Sequence, residues 1–128
     1  MPDLSLVLYV EDDPDIQTVA QMALEMVGGF TLRTCSSGRE ALLAAADCKP
    51  DLLLLDVMMP GMDGVATLAE LRKLPNSAAT PVIFMTAKVQ SSEVAHYRSL
   101  GAIGVIAKPF DPMQLPLQVR ALWDEAMA

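Results

Sequence analysis

Residues 52–64 read LLLLDVMMPGMDG, four leucines running straight into an aspartate and then breaking into a proline and glycine turn. Four consecutive leucines leave no polar face. A short, continuous apolar run bounded by turn residues is the pattern of a strand covered on both sides, as in a parallel sheet. Such a strand has no reason to end on a carboxylate unless that carboxylate is wanted at the place where the strand leaves the core. Asp56 therefore becomes the first candidate functional residue.

Working outward, four more apolar blocks appear: LSLVLYV (4–10), FTLRT (30–34), PVIFM (81–85) and IGVIA (103–107), with DLLLL (51–55) as the third in order. The second alternates in polarity and is expected nearer an edge of the sheet. Helical periodicity fills the gaps. Asp13 and Pro14 are placed to open a first helix that Gly28-Gly29 would end. Ser37 with Glu40 forms a capping box for a second. Residues 65–74 predict a third helix stopped by Pro75, and residues 91–100 a fourth ended by Gly101. Residues 111–127 predict a fifth, with Asp111 as cap. Pro116 falls inside that segment, which is expected to begin loosely or kinked. Strand and helix alternate five times, which predicts a parallel sheet with helices on both faces.

The chain has 128 residues with no visible linker, so a single domain over 1–128 is expected. Its 52% hydrophobic content comes in short blocks, none approaching the about 18 residues of a membrane span. No secretory leader opens it, and a cytoplasmic location is expected. The formal net charge of −7 argues against direct nucleic-acid binding and permits a basic partner or a bound cation. Cys35 and Cys48 are expected to be unpaired thiols. Most methionines are expected to fill the core, Trp123 to pack the last helix, and His96 to lie on the surface.

Ligands of open α/β sheets gather at the carboxyl ends of the strands. Here those ends deliver Glu11, Asp12 and Asp13, then Asp56, then Thr86, then Lys108. Crowded carboxylates repel, so they take up protons or hold a cation. A hard divalent ion suits them, and Mg²⁺ is at home with one or two carboxylates and a phosphate. Lys108 could close a plain ion pair or hold an anion from the side opposite a metal. With the Thr86 hydroxyl as donor, the rim fits a phosphoryl group on a carboxylate, and Asp56 is the candidate nucleophile.

Glu11-Asp12, Asp56 followed by MMPGMDG, Thr86-Ala87 and Lys108-Pro109, in this order and spacing, resemble the receiver domain of two-component response regulators over essentially the whole chain. The resemblance implies a flavodoxin-like, doubly wound five-stranded sheet, (βα)5, in strand order 2-1-3-4-5. It implies that Asp56 accepts a phosphoryl group from a histidine kinase or histidine phosphotransfer protein. Asp12, Asp56 and the Met58 carbonyl would coordinate Mg²⁺ (or Mn²⁺), with Glu11 supporting the ion through water. Lys108 would contact the phosphoryl oxygens and Thr86 would report the modification, with Ala87 and Pro109 flanking them at the ligand. Lys108-Pro109 would be a cis peptide. Asp13 is better read as a helix cap. The changed surface would be the fourth helix, fifth strand and fifth helix, presented to a downstream protein. The chain would not be an enzyme beyond its own phosphorylation and dephosphorylation chemistry, and would be a monomer or weak homodimer.

One position departs from the family pattern, and two fall where the family varies. Val105 stands where receivers often carry an aromatic coupled to the threonine; backbone movement, or Tyr97, would have to serve instead. Met58 and Lys88 occupy the variable positions that tune dephosphorylation, and Met58 cannot orient an attacking water. Rival functions fare worse. A flavin module needs a Gly/Ser/Thr-rich phosphate loop where this chain puts three acids. A Mg²⁺-dependent phosphohydrolase often carries a second Asp at the position of Met58. A degenerate receiver would not need the full residue set. A stand-alone receiver is expected, the alternative being one excised from a larger regulator or hybrid kinase.

Overall fold

The computed structural model describes residues 3–128. Five parallel strands form one sheet in the order β2-β1-β3-β4-β5. They are β1 (Leu6–Val10), β2 (Thr31–Cys35), β3 (Leu52–Asp56), β4 (Val82–Thr86) and β5 (Ala102–Ala107). The helices are α1 (Pro14–Met22), α2 (Gly38–Asp47), α3 (Gly64–Leu71), α4 (Ser91–Ser99) and α5 (Leu115–Met127). The expected doubly wound α/β architecture of flavodoxin type is therefore the observed one, with β2 at an edge.

Period-2 alternation divides the strand side chains between two cores. Leu8, Val10, Leu53, Leu55, Val82 and Phe84 face one layer, packed under Ala41, Ala44, Leu68, Leu71 and Tyr97 of α2, α3 and α4. Val7, Tyr9, Leu52, Leu54, Ile83 and Met85 face the other, packed under Ala20, Leu24, Leu115, Val119 and Trp123. The central strands are buried on both faces, which is why LLLL has no polar member.

Local chemistry sets the helix starts. Asp13 accepts from the Asp15 and Ile16 amides at the start of α1, Ser37 from Glu40 at α2, and Asp63 from Ala66 at α3. The α1 segment ends in a π-helical turn over Ala23–Val27, closed by Gly28 and by Gly29 at positive φ.

Three expectations need correction. The last helix begins at Leu115, not Asp111: Asp111 instead organises the turn before it, accepting from the Met113 amide through its side chain and from Gln114 and Leu115 through its carbonyl. Pro116 thereby lies in the first helical turn, where a missing N–H leaves no gap. The third helix stops at Leu71 rather than residue 74; Arg72 draws the chain round by donating to the Ser77 and Thr80 carbonyls, and Pro75–Ser77 forms a 3₁₀ turn. Nor are the methionines mainly core: Met22, Met26, Met58 and Met113 are all exposed. Trp123 is buried and His96 exposed, as expected, and both cysteines are free. No helix of the described residues is long and apolar enough to cross a membrane.

Candidate functional site at the carboxyl ends of the strands

In-register pairing brings the strand ends level. Val10 lies beside Leu55, Asp56 beside Met85, and Thr86 beside Ala107. The residues at or just beyond those positions therefore meet on one rim. Asp56 and Glu11 are each 1% exposed although both are acidic. Glu11, Asp12 and Asp56 each offer a carboxylate oxygen within 4.8 Å of the other two. Across them lies Lys108, its Nζ 2.8 Å from Glu11 Oε1 and 3.2 Å from Asp56 Oδ1. The Lys108 amide donates to the Thr86 carbonyl, and Lys108-Pro109 is cis.

The electrostatics follow from burial. Desolvation, with the neighbouring Asp56, raises the Glu11 carboxyl pKa above its ordinary value, and Lys108 opposes the rise. Burial alone would lower the Lys108 ammonium; its hydrogen bond to Glu11 and the charge of Asp56 outweigh it and leave the pKa raised. One half-buried ammonium thus serves two carboxylates, and the half-buried Asp12 adds a third. That shortage of positive charge suits a divalent cation with oxygen ligands.

The other expected site residues are placed as follows. Thr86 is buried at the end of β4, with its Oγ1 accepting from the Lys88 amide at 3.1 Å rather than reaching the acids. The Met58 amide donates to Asp56 Oδ1 at 3.3 Å, while its side chain is 66% exposed at the mouth. Ala87 and Pro109 are exposed beside Thr86 and Lys108. Asp13 is turned to its capping role. Val105 is half-buried against the α4 side, and Tyr97 stacks on Phe84 with ring centroids 5.2 Å apart.

Two contributors were not foreseen. The Gln17 amide donates to the carbonyls of Glu11 and Cys35, tying the acidic loop to the end of β2. A glutamine one turn into a helix carries no distinguishing sequence signal. Gly64 is the second: a Cβ there would overlap the main-chain carbonyl of Asp56, so the start of α3 presses directly on the backbone that carries the central carboxylate.

Comparison with known proteins agrees with this fold. The family model described as the response regulator receiver domain matches residues 7–120. The transcriptional regulatory protein CseB of Streptomyces coelicolor is 37% identical over 122 residues, which are 95% of this chain and 50% of that protein. The alkaline phosphatase synthesis transcriptional regulatory protein PhoP of Bacillus subtilis is 36% identical over 116 residues, 91% of this chain and 47% of PhoP. The chain thus spans about half the length of these curated relatives. Among solved structures, the chemotaxis response regulator CheY4 of Vibrio cholerae superposes with a TM-score of 0.84 at 28% identity, covering 94% of this chain and 99% of CheY4.

Proposed function

Starting from the fact that this chain belongs to the response regulator receiver domain family of two-component signalling, we propose that it is switched by phosphorylation at Asp56. The observation that carries the proposal is a buried carboxylate at a strand end, ringed by two further carboxylates and 3.2 Å from a lysine ammonium. Asp12, Asp56 and the Met58 carbonyl would hold Mg²⁺ or Mn²⁺, with Glu11 behind them through water; the ion would offset charge on the transferring phosphoryl oxygens. An Asp56 oxygen attacks the phosphorus of a phosphohistidine on a histidine kinase or phosphotransfer protein. The P–N bond breaks, its electron pair stays on the imidazole nitrogen, and that nitrogen takes a proton from water. Lys108 then holds the phosphoryl oxygens that Asp56 gains.

The modification adds about 1.5–2 negative charges and new acceptor oxygens. The Thr86 hydroxyl, now an acceptor for the Lys88 amide, is free to donate toward them. Its shift moves the loops before α4 and α5, and the face formed by α4, β5 and α5 meets the downstream protein. With a net charge of −7 the chain works through protein contacts, in the cytosol with its phosphodonor. Incubation with acetyl phosphate and Mg²⁺ should add the mass of one phosphoryl group, and Asp56→Asn should abolish it. Equal labelling of both proteins would overturn the assignment.

A further inference from the structure

Tyr9 is the one polar-tipped residue in the β1 run LVLYV. Alternation puts Tyr9 and Glu11 on the same face of the sheet. The neighbouring strand repeats the arrangement, with Leu54 paired to Tyr9 and Asp56 two residues beyond it. The phenol therefore stands one pleat beneath the acids, in the apolar layer with Leu54, Met85 and Ile106. Tyr9 has no solvent exposure, and its hydroxyl is a buried oxygen without a hydrogen-bond partner. A buried hydroxyl in that state carries a desolvation cost that phenylalanine would avoid. A tyrosine phenol ordinarily titrates at about 10, so at neutral pH the group is an intact O–H donor.

The acceptor it lacks is close to becoming available. Glu11 Oε1 is occupied by Lys108 at 2.8 Å, and Oε2 receives only a long 3.4 Å contact from the Asp13 amide. When Lys108 turns to a phosphoryl group on Asp56, Glu11 loses its ammonium partner and, with one oxygen toward the water of the ion, keeps the other buried and open to accept. We propose that Tyr9 is a positioning residue whose hydroxyl takes up Glu11 when Lys108 is drawn onto the phosphoryl oxygens, holding the floor of the pocket in the modified state. The proposal rests on the phosphorylation reading above.

Tyr9→Phe separates the possibilities, with beryllofluoride plus Mg²⁺ as the probe. The variant without ligand should melt at the same temperature as the parent or higher, because it removes an unpaired hydroxyl. Its beryllofluoride affinity should fall by about threefold or more, the worth of one hydrogen bond. The parent with beryllofluoride should show a slowly exchanging tyrosine hydroxyl proton by NMR that Tyr9→Phe lacks. Lower stability of the unliganded variant would mean that the hydroxyl already has a partner, and would overturn the proposal. So would equal beryllofluoride affinities. A parent chain that binds no beryllofluoride at all would sink the phosphorylation reading, and this one with it.

Discussion

At Asp56 and Glu11 the chain keeps two carboxylates nearly out of solvent and shares one lysine between them. Such a cluster is tolerable only while the ammonium is in place, and removing one partner of a buried charge set leaves the others uncompensated. On the proposed phosphorylation of Asp56, the residue expected to tune the life of the phosphoryl group stands beside this cluster. The Met58 side chain is open to solvent at the mouth of the pocket and has no group that can hold an attacking water. Met58→Asn should therefore shorten the lifetime of the phosphoryl group several-fold without changing its site of attachment, as followed by loss of label after removal of acetyl phosphate. An unchanged lifetime would mean that water is oriented by another group. The acids and the lysine were legible because each follows an apolar strand, and strand ends converge in a parallel sheet. Tyr9 was not legible, since an aromatic in a strand reads as core, and only coordinates reveal that its hydroxyl has nothing to bond. Thr86 was legible as a site residue, but its bond to the Lys88 amide was not.

At the level of elements, the turn between β3 and α3 does more than connect them. Asp63 caps α3, the Gly64 amide donates to the Val57 carbonyl, and Gly64 packs where a methyl group would strike the Asp56 carbonyl. The obstacle is backbone, which cannot swing aside as a side chain could. Gly64→Ala should cost about 1–3 kcal/mol of stability through overpacking, read as a lower urea midpoint. It should also slow labelling by acetyl phosphate, because the strain is relieved by moving the main chain of Asp56. Full stability and normal labelling together would show that the loop yields freely. Elements with a local signal were readable in this way: the Asp13 and Ser37 caps and the apolar β3 run need only their own neighbours. The start of α5 was misread because Asp111 resembles a cap, whereas its side chain and carbonyl close a turn that delays the helix to Leu115. The end of α3 depends on Arg72 reaching carbonyls five and eight residues on, a tertiary choice that no helical pattern announces.

Across the whole molecule, one strip of exposed apolar residues runs along the first helix toward the acidic pocket. Val19, Met22, Met26 and Val27 run along the α1 segment, and Met113 meets them from the turn before α5. A continuing hollow lined by Asp15, Ile16, Val19, Lys108, Pro109 and Phe110 leads from this strip to the lysine of the site. Asp15 lines it beside Lys108, and Asp12, Asp13 and Asp111 adjoin these residues in sequence, in a chain of net charge −7. On the proposed function, the phosphodonor brings its phosphohistidine to Asp56 and therefore lies against this side. The chemistry that fits is a helical protein surface with an apolar strip and Lys or Arg along its margin, steered by the opposite field. Acetyl phosphate needs no such contact. Val19→Glu with Met22→Glu should therefore slow transfer from the phosphorylated donor protein by about tenfold or more, equivalent to about 1.4 kcal/mol, while leaving acetyl phosphate labelling unchanged. The same transfer should slow further as salt rises, since the steering charges are exposed and screened within about 8 Å at physiological ionic strength. If both donors slow equally, the substitutions have damaged the pocket itself; if neither does, the donor approaches over another surface and the methionines of α1 serve some other contact.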